Sequence, residues 1–267
     1  IILIIFFLIE IMKFIILGCG SSLGVPWPNG FFGNCNLENK KNYRTRCSAL
    51  IQTKNENILI DTSPDLRHQL LKNRVKNIDK VLYSHMHGDQ THGINDLRVF
   101  FMISKKTIPV YADKMTKNYL LKTFNYCFKK NSNEYPAILK MFSVKKNFYI
   151  KNGKQKISLN SVNVKHGNIN SVCYILDKKL AYISDVSDIK PKDLKFFKNL
   201  KYLIIDCLRI KSHPSHFNLE KSLELIQKLS PKKAILTNLH TDLDYDYLKK
   251  ILPKNIEPAY DGLTVKL

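Results

Sequence analysis

The sequence has no C-x-x-C pair; its six cysteines, Cys19, Cys35, Cys47, Cys127, Cys173 and Cys207, are scattered along the chain. Without paired spacing there is neither a thioredoxin-type redox motif nor a ribbon-type zinc site. Nothing marks a secreted, disulfide-stapled chain, so the expectation is reduced thiols filling core space in a cytoplasmic protein. Acidic residues are also short: 22 Asp+Glu against 43 Lys+Arg leave a formal net charge of +21. Such a surface attracts phosphate esters, nucleic acid or anionic lipid. Yet only six of the basic residues are Arg, and Lys, Asn and Ile are abundant everywhere, which reads as a chain-wide coding bias and not as a selected patch. There is no hydrophobic run of the roughly 20 residues that a bilayer span needs. The apolar stretch from Ile1 to Ile11 is shorter and is broken by Glu10, and it lacks the basic start and the small-residue cleavage site of a signal peptide. Met12 stands directly before a plausible first strand, so residues 1–11 are expected to be a non-native upstream extension and 12–267 a single domain, with no membrane partner.

A chain of 267 residues that is 44% hydrophobic can bury a full core. Short β-branched runs bounded by turns predict strands at Phe14–Leu17, Ser48–Thr53, Ile58–Ile60, Lys80–Ser84 and Thr107–Tyr111. Further strands are expected at Ile157–Val164, Ser171–Leu176, Leu180–Ser184, Tyr202–Asp206, Lys233–Thr237 and Leu263–Lys266. Helical spacing marks Asp65–Lys72, Pro191–Lys198, Asn218–Leu229 and Tyr245–Leu252. Strands clustered first and then alternating with helices fit a layered α/β protein. The segment from Thr116 to Phe148, rich in Lys, Asn and aromatics, reads as an insertion beside the active site.

The most informative stretch begins where a buried strand ends: His85-Met-His87-Gly-Asp89-Gln90-Thr-His92-Gly93. Two imidazoles one residue apart can converge on one ion, with a carboxylate two residues on. That mixture of donors suits Zn²⁺, Mn²⁺ or Fe²⁺ better than Ca²⁺ or Mg²⁺. His166, Asp185 and His240 each stand just beyond another predicted strand, so these ligand types repeat along one sheet edge. Gly18 and Gly20 have neither a G-x-G-x-x-G run nor a Walker lysine, which excludes a nucleotide-cofactor loop and leaves a close turn near the metal site.

The order of motifs resembles the metallo-β-lactamase superfamily, and within it the phosphoribosyl cyclic phosphodiesterase-like branch. The residues that carry the resemblance are GCGSSLGVP at Gly18–Pro26, NYRTRCS at Asn42–Ser48, DTSPDLR at Asp61–Arg67, HMHGDQTHGINDLR at His85–Arg98, HPSHF at His213–Phe217, DLDY at Asp242–Tyr245 and YDG at Tyr260–Gly262. The resemblance implies a single-domain, four-layer αβ/βα sandwich. It assigns His85, His87 and His166 to a first metal, Asp185 to a bridging position and Asp89 to a second metal. Two positions depart from the family pattern: Gln90 and Asn238 stand where histidines are common. His240 is the preferred substitute at the second site, with His92 the other neighbour. The family's cysteine-rich structural zinc site has no counterpart, since no cysteine neighbours Cys35.

The function expected from this reading is metal-dependent hydrolysis of a small, cyclic phosphate ester by hydroxide generated on one or two Zn²⁺ or Mn²⁺ ions. His216, or equally His213, would protonate the leaving oxygen, with Asp89 also catalytic. Asp61, Asp261, Gln90, His92 and Asn238 would stand behind the ligands, while Arg98, Arg44 and Arg46 would grip substrate phosphate. The competing readings are a tRNA-processing-type nuclease, a thioester or lactam hydrolase, and a metal-poor basic protein that binds nucleic acid. Nucleic acid is not the favoured partner, and homodimer formation is left open.

Overall fold

The computed structural model describes residues 12–130, 132 and 135–267; the extension expected at 1–11 lies outside them. Among the described residues, fourteen strands form two seven-stranded sheets. The first sheet contains β1 (Lys13–Gly18), β2 (Ser48–Gln52), β3 (Asn57–Ile60), β4 (Lys80–Leu82), β5 (Ile108–Ala112), β6 (Leu139–Ser143) and β14 (Leu263–Lys266), in the order β14-β1-β2-β3-β4-β5-β6. The second contains β7 (Asn147–Asn152), β8 (Gln155–His166), β9 (Ile169–Leu176), β10 (Leu180–Ile183), β11 (Tyr202–Asp206), β12 (Lys233–Thr237) and β13 (Ile256–Pro258), in the order β13-β12-β11-β10-β9-β8-β7.

Alternation along the strands explains the layers. In β1, Phe14 and Ile16 point into the core between the sheets, while Ile15 and Leu17 join the cluster on the opposite face. In β11 and β12, Ile204 and Ile235 face the inter-sheet core, whereas Leu203, Ile205, Ala234 and Leu236 face outward into a third cluster. A strand buried on both faces reads as a continuous apolar run, and each fully buried Leu, Ile or Phe contributes about 1.5–3 kcal/mol. Phe14 meets Tyr182 across the sheets at 5.4 Å between ring centroids. Helices cover both outer faces. On the first sheet lie α1 (Leu66–Lys72), the single turn α2 (Gly88–Thr91), α3 (Arg98–Ser104), α4 (Lys114–Thr123) and α5 (Asn125–Phe128), with Leu66, Phe100, Leu120 and Cys127 in its outer cluster. On the second lie α6 (Leu219–Leu229) and α7 (Tyr245–Ile251), through Ile226, Leu229 and Leu248. This is the expected four-layer αβ/βα sandwich.

Two differences from the sequence reading have physical causes. The segment from Thr116 to Phe148, left without assigned elements, forms most of α4, then α5, β6 and the start of β7, which carry the chain from one sheet to the other, with Leu120, Cys127 and Leu139 packed into the core. The stretch Pro191–Phe197 coils as a 3₁₀ helix. All six cysteines are buried free thiols. Among the described residues no helix is long and apolar enough to cross a membrane.

Strand direction creates the functional rim. The strands β10, β11, β12 and β13 are mutually parallel, as are β3, β4, β5 and β6. Their carboxyl ends therefore gather, the usual location of binding sites on such sheets. Two backbone links draw the sheets together there: Val172 N–H donates to Ser84 O at 2.8 Å, and Leu239 N–H donates to Cys19 O at 2.8 Å. At Gly20 a Cβ would stand 2.7 Å from Arg44 O, so the close approach expected of this turn requires glycine.

Candidate metal centre

The first imidazoles follow β4 directly. Asp61 Oδ1 accepts the Ser84 N–H at 2.7 Å, and Ser84 Oγ lies 3.0 Å from His85 Nδ1. The contact leaves His85 Nε2 facing inward, 3.0 Å from His87 Nδ1. The loop beyond is clamped to the Asp61-Thr62-Ser63 run: Thr62 N–H donates to Gln90 O and Gly93 N–H to Thr62 O. A Cβ at Gly93 would sit 1.9 Å from Ser63 O, so only glycine permits that approach. His166 arrives from the end of β8, its Nε2 3.2 Å from His87 Nδ1. Its Nδ1 donates to Ser215 O at 2.7 Å, which fixes the tautomer with the Nε2 lone pair toward the other rings.

Three ring nitrogens so placed cannot all satisfy one another by hydrogen bonding. Burial, aided by the neighbouring imidazoles, pushes the pKa of His85 down to about 3 and also lowers that of His87, so both rings are neutral as ligation requires. Asp185, in the turn after β10, has a buried Oδ2 without a hydrogen-bond partner. Burial opposes its ionisation, but His85, His166 and His216 hold its pKa low. A buried carboxylate oxygen left open beside three convergent lone pairs fits a divalent transition metal.

A second trio of candidate donors is His166, Asp185 and His216. His216 Nδ1 donates to Asp206 Oδ2 at 2.8 Å, and the same oxygen accepts Val186 N–H at 2.9 Å. Asn238 Nδ2 donates to Asp206 Oδ1 at 3.0 Å and lies 3.1 Å from His216 Nδ1. Burial disfavours charge on His216, but the carboxylates of Asp206, Asp185 and Asp89 prevail and raise its pKa to about 9. Burial and the charge of Asp185 push Asp89 up to about 6. Asp89 belongs to neither trio; its Oδ2 accepts from Gln90 Nε2 at 3.2 Å.

Other expected residues fall elsewhere. His240, favoured for the second site, stands outside both trios, with Nδ1 3.4 Å from Asp242 Oδ1 and its ring edge-on to Trp27. Asn238 before it takes a left-handed φ of 62°, and Leu239 bridges to Gly20. Exposed His92 bonds Tyr119 Oη at 2.9 Å. Asp61 reaches His85 only through Ser84. Asp261 does not stand behind a ligand histidine; it staples the loops of Cys19 and Thr45 through their N–H groups at 3.1 and 2.8 Å. Arg44 is 2% exposed and donates to Leu243 O at 2.7 Å and Asn42 Oδ1 at 2.9 Å. The substrate contact expected of it therefore gives way to an internal clamp. Arg46 pairs with Asp65 at 3.4 Å, and exposed Arg98 lies 6.0 Å over the Tyr135 ring. The His213 and His216 ring centroids are 5.1 Å apart, with Ser215 bonded to the His213 Nδ1. Asp206 was missed by the sequence reading, although it ends the apolar run YLIID just as Asp185 follows AYIS.

Comparison with known proteins agrees with this geometry. The family model described as a β-lactamase superfamily domain matches residues 56–238. A crystal structure of a diphosphatase from the PhnP family is 30% identical, covers 96% of this chain and 97% of its own, and superposes with a TM-score of 0.86. Zinc-bound PqqB from Methylobacterium extorquens shares the fold at 16% identity, with TM-score 0.74, covering 96% of this chain and 100% of its own. A Porphyromonas gingivalis protein named octanoyltransferase is 32% identical over 256 residues, covering 94% of this chain and 51% of its own. The chain thus spans about half the length of that curated relative.

Proposed function

The chain belongs to the β-lactamase superfamily, and from that premise we propose that it is a metal-dependent phosphodiesterase acting on a small phosphate ester, cyclic esters included. The observation that carries the reading is the convergence of His85, His87 and His166 beside the open Oδ2 of Asp185, with the Asp206-braced His216 against the same cluster. The similarity to a diphosphatase along nearly the whole chain supports phosphorus as the electrophile.

His85, His87, His166 and Asp185 would hold the ion, Zn²⁺ or Mn²⁺. A divalent ion bound there supplies a Lewis acid and lowers the pKa of water toward neutrality. His166 cannot rotate away, because Ser215 O holds its Nδ1. Asp89, with its raised pKa, is suited to hold a proton released from the attacking water at a carboxylate oxygen. His216 carries a proton on Nε2 while Asp206 holds Nδ1, and it delivers that proton to the leaving oxygen. Its ring centroid lies 4.6 Å from that of His166, so donor and ligand set face one reacting group.

The test is cleavage of bis(p-nitrophenyl) phosphate by the purified protein, with and without chelator, followed by cyclic ribose phosphates, cyclic nucleotides and pre-tRNA. Chelator-sensitive turnover of the diester is expected; a protein that binds no transition metal and cleaves no diester refutes the reading. A second reading, acyl thioester hydrolysis, is favoured by the octanoyltransferase name of the half-matched relative. Turnover of an acyl thioester exceeding that of every phosphate ester would establish it instead.

A further inference from the structure

We propose that this chain holds a single metal ion, and that its own amide and carboxylate contacts close the position where a second would sit. The inference rests on the proposed metal-dependent reading but concerns stoichiometry. The two trios of candidate donors are not two sites. They share His166, whose Nδ1 donates to Ser215 O, leaving one nitrogen lone pair, on Nε2. One lone pair ligates one ion, so filling the second trio empties the first. A second ion would therefore need donors of its own, and a catalytic zinc position takes about three from the protein.

The residues available do not provide them. Among the described residues Asp89 joins no trio with Asp185 and His216, and Gln90 presents an N–H donor, not a lone pair, to its Oδ2. Asn238 likewise turns its Nδ2 toward Asp206 and His216. His240 is engaged with Asp242 and Thr241 outside the cluster. Both amides are buried, at 0% and 1% exposure; Asn238 is held by Asp206 and His216, and Gln90, whose Oε1 has no partner, offers at most one weak amide oxygen in place of an imidazole. Beside the shared ligand His166 the structure puts the imidazole of His216, anchored on Asp206, its ring centroid 4.6 Å from that of His166.

Metal content of the metal-saturated, gel-filtered protein tests this by elemental analysis and native mass spectrometry. A cobalt titration of the metal-free protein, followed by its visible absorption, gives the stoichiometry independently. One zinc per chain and a single break at one equivalent of cobalt are expected. Two tightly held ions per chain overturn the inference and leave the proposed function standing; none overturns both. The double variant Gln90→His/Asn238→His should rise to two ions, because histidine tolerates the left-handed backbone at 238 better than most residues. A folded double variant that still holds one ion overturns the assignment of the amides as the cause.

Discussion

Replacing Arg44 by Met separates an internal clamp from a substrate contact. The guanidinium donates to Leu243 O at 2.7 Å and to Asn42 Oδ1 at 2.9 Å, with His240 O at 3.4 Å. It thereby ties the loop before β2 to the segment after β12. Methionine keeps much of the volume but leaves Leu243 O without a donor, while Asn42 Oδ1 keeps the Tyr245 N–H at 2.8 Å and His240 O the Leu243 N–H at 3.2 Å. Each hydrogen bond from a charged group is worth about 1.5–3 kcal/mol, and an orphaned buried acceptor costs about 1–3 kcal/mol. Allowing for relaxation and overlap between these terms, the loss should be about 3–5 kcal/mol, in the range of other buried charged networks. For a domain of this size each kcal/mol moves Tm by about 2–4 °C, so Arg44→Met should melt about 10 °C lower. Arg44→Lys should recover little, because an ammonium cannot reproduce the fork. The assay is a thermal melt beside KM for the diester. A KM raised tenfold at unchanged Tm would refute the argument, since it would mean that Arg44 reaches substrate.

Four further outcomes follow from the site. Alanine at His87 or His166 should cut bound metal and lower diester turnover by at least about 100-fold, read by elemental analysis and kcat; full metal retention would refute ligation. Asp206→Asn removes the nearest carboxylate that holds His216 protonated, so the alkaline limb of kcat, lying at or below about 9, should move to lower pH. In the metal-free protein the same interaction is lost as pH rises through about 9, the raised pKa of His216, and at the acid end as Asp206, which burial raises to about 6, takes up a proton; urea midpoints should therefore fall on the alkaline side less in Asp206→Asn than in the parent. Gly167→Ala forces a Cβ to 2.9 Å from the Ser215 Cβ at a left-handed φ of 57°, which displaces the acceptor of His166 Nδ1. Metal affinity should drop about 10–100-fold with the fold retained, measured by competition with a chelating dye.

Elements packed on both faces were legible because their composition is dictated by burial. The strands Tyr202–Asp206 and Lys233–Thr237 begin and end where the apolar runs do. The short strands β6, β7 and β13 were not, because Leu139–Ser143 and Asn147–Asn152 expose most of one face and Ile256–Pro258 is a three-residue edge. In the site, a histidine at a strand end could be read directly, as at His85 and His166. Position relative to a turn could not: Asn238 takes a left-handed φ of 62°, and His240 beyond it has its Nδ1 beside Asp242 and Thr241. The role of Arg44 was equally hidden, since its acceptors at 240 and 243 come from about 200 residues away. Asp206 ends the apolar run YLIID as Asp185 follows AYIS, so a carboxylate at a buried strand's end marks both.

The common cause of the site is the way two half-molecules share a rim. The sequence from β3 to β6 supplies His85 and His87, and the sequence from β8 to β12 supplies His166, Asp185, Asp206 and His216. The proposed ion site takes His85 and His87 from the first half and His166 and Asp185 from the second, so it is complete only when both sheets are packed. The contacts that register the halves, Val172 to Ser84 and Leu239 to Cys19, lie beside the ligands themselves. Metal affinity and sheet docking should therefore be linked: an ion that binds only the assembled rim stabilises the fold by mass action, about 2.7 kcal/mol when free metal is 100-fold above Kd. At about 2–4 °C per kcal/mol, chelation should lower Tm by several degrees in the parent protein and by almost nothing in His166→Ala. An equal fall in both would mean that the ion is bound elsewhere, and the shared-rim account would fail.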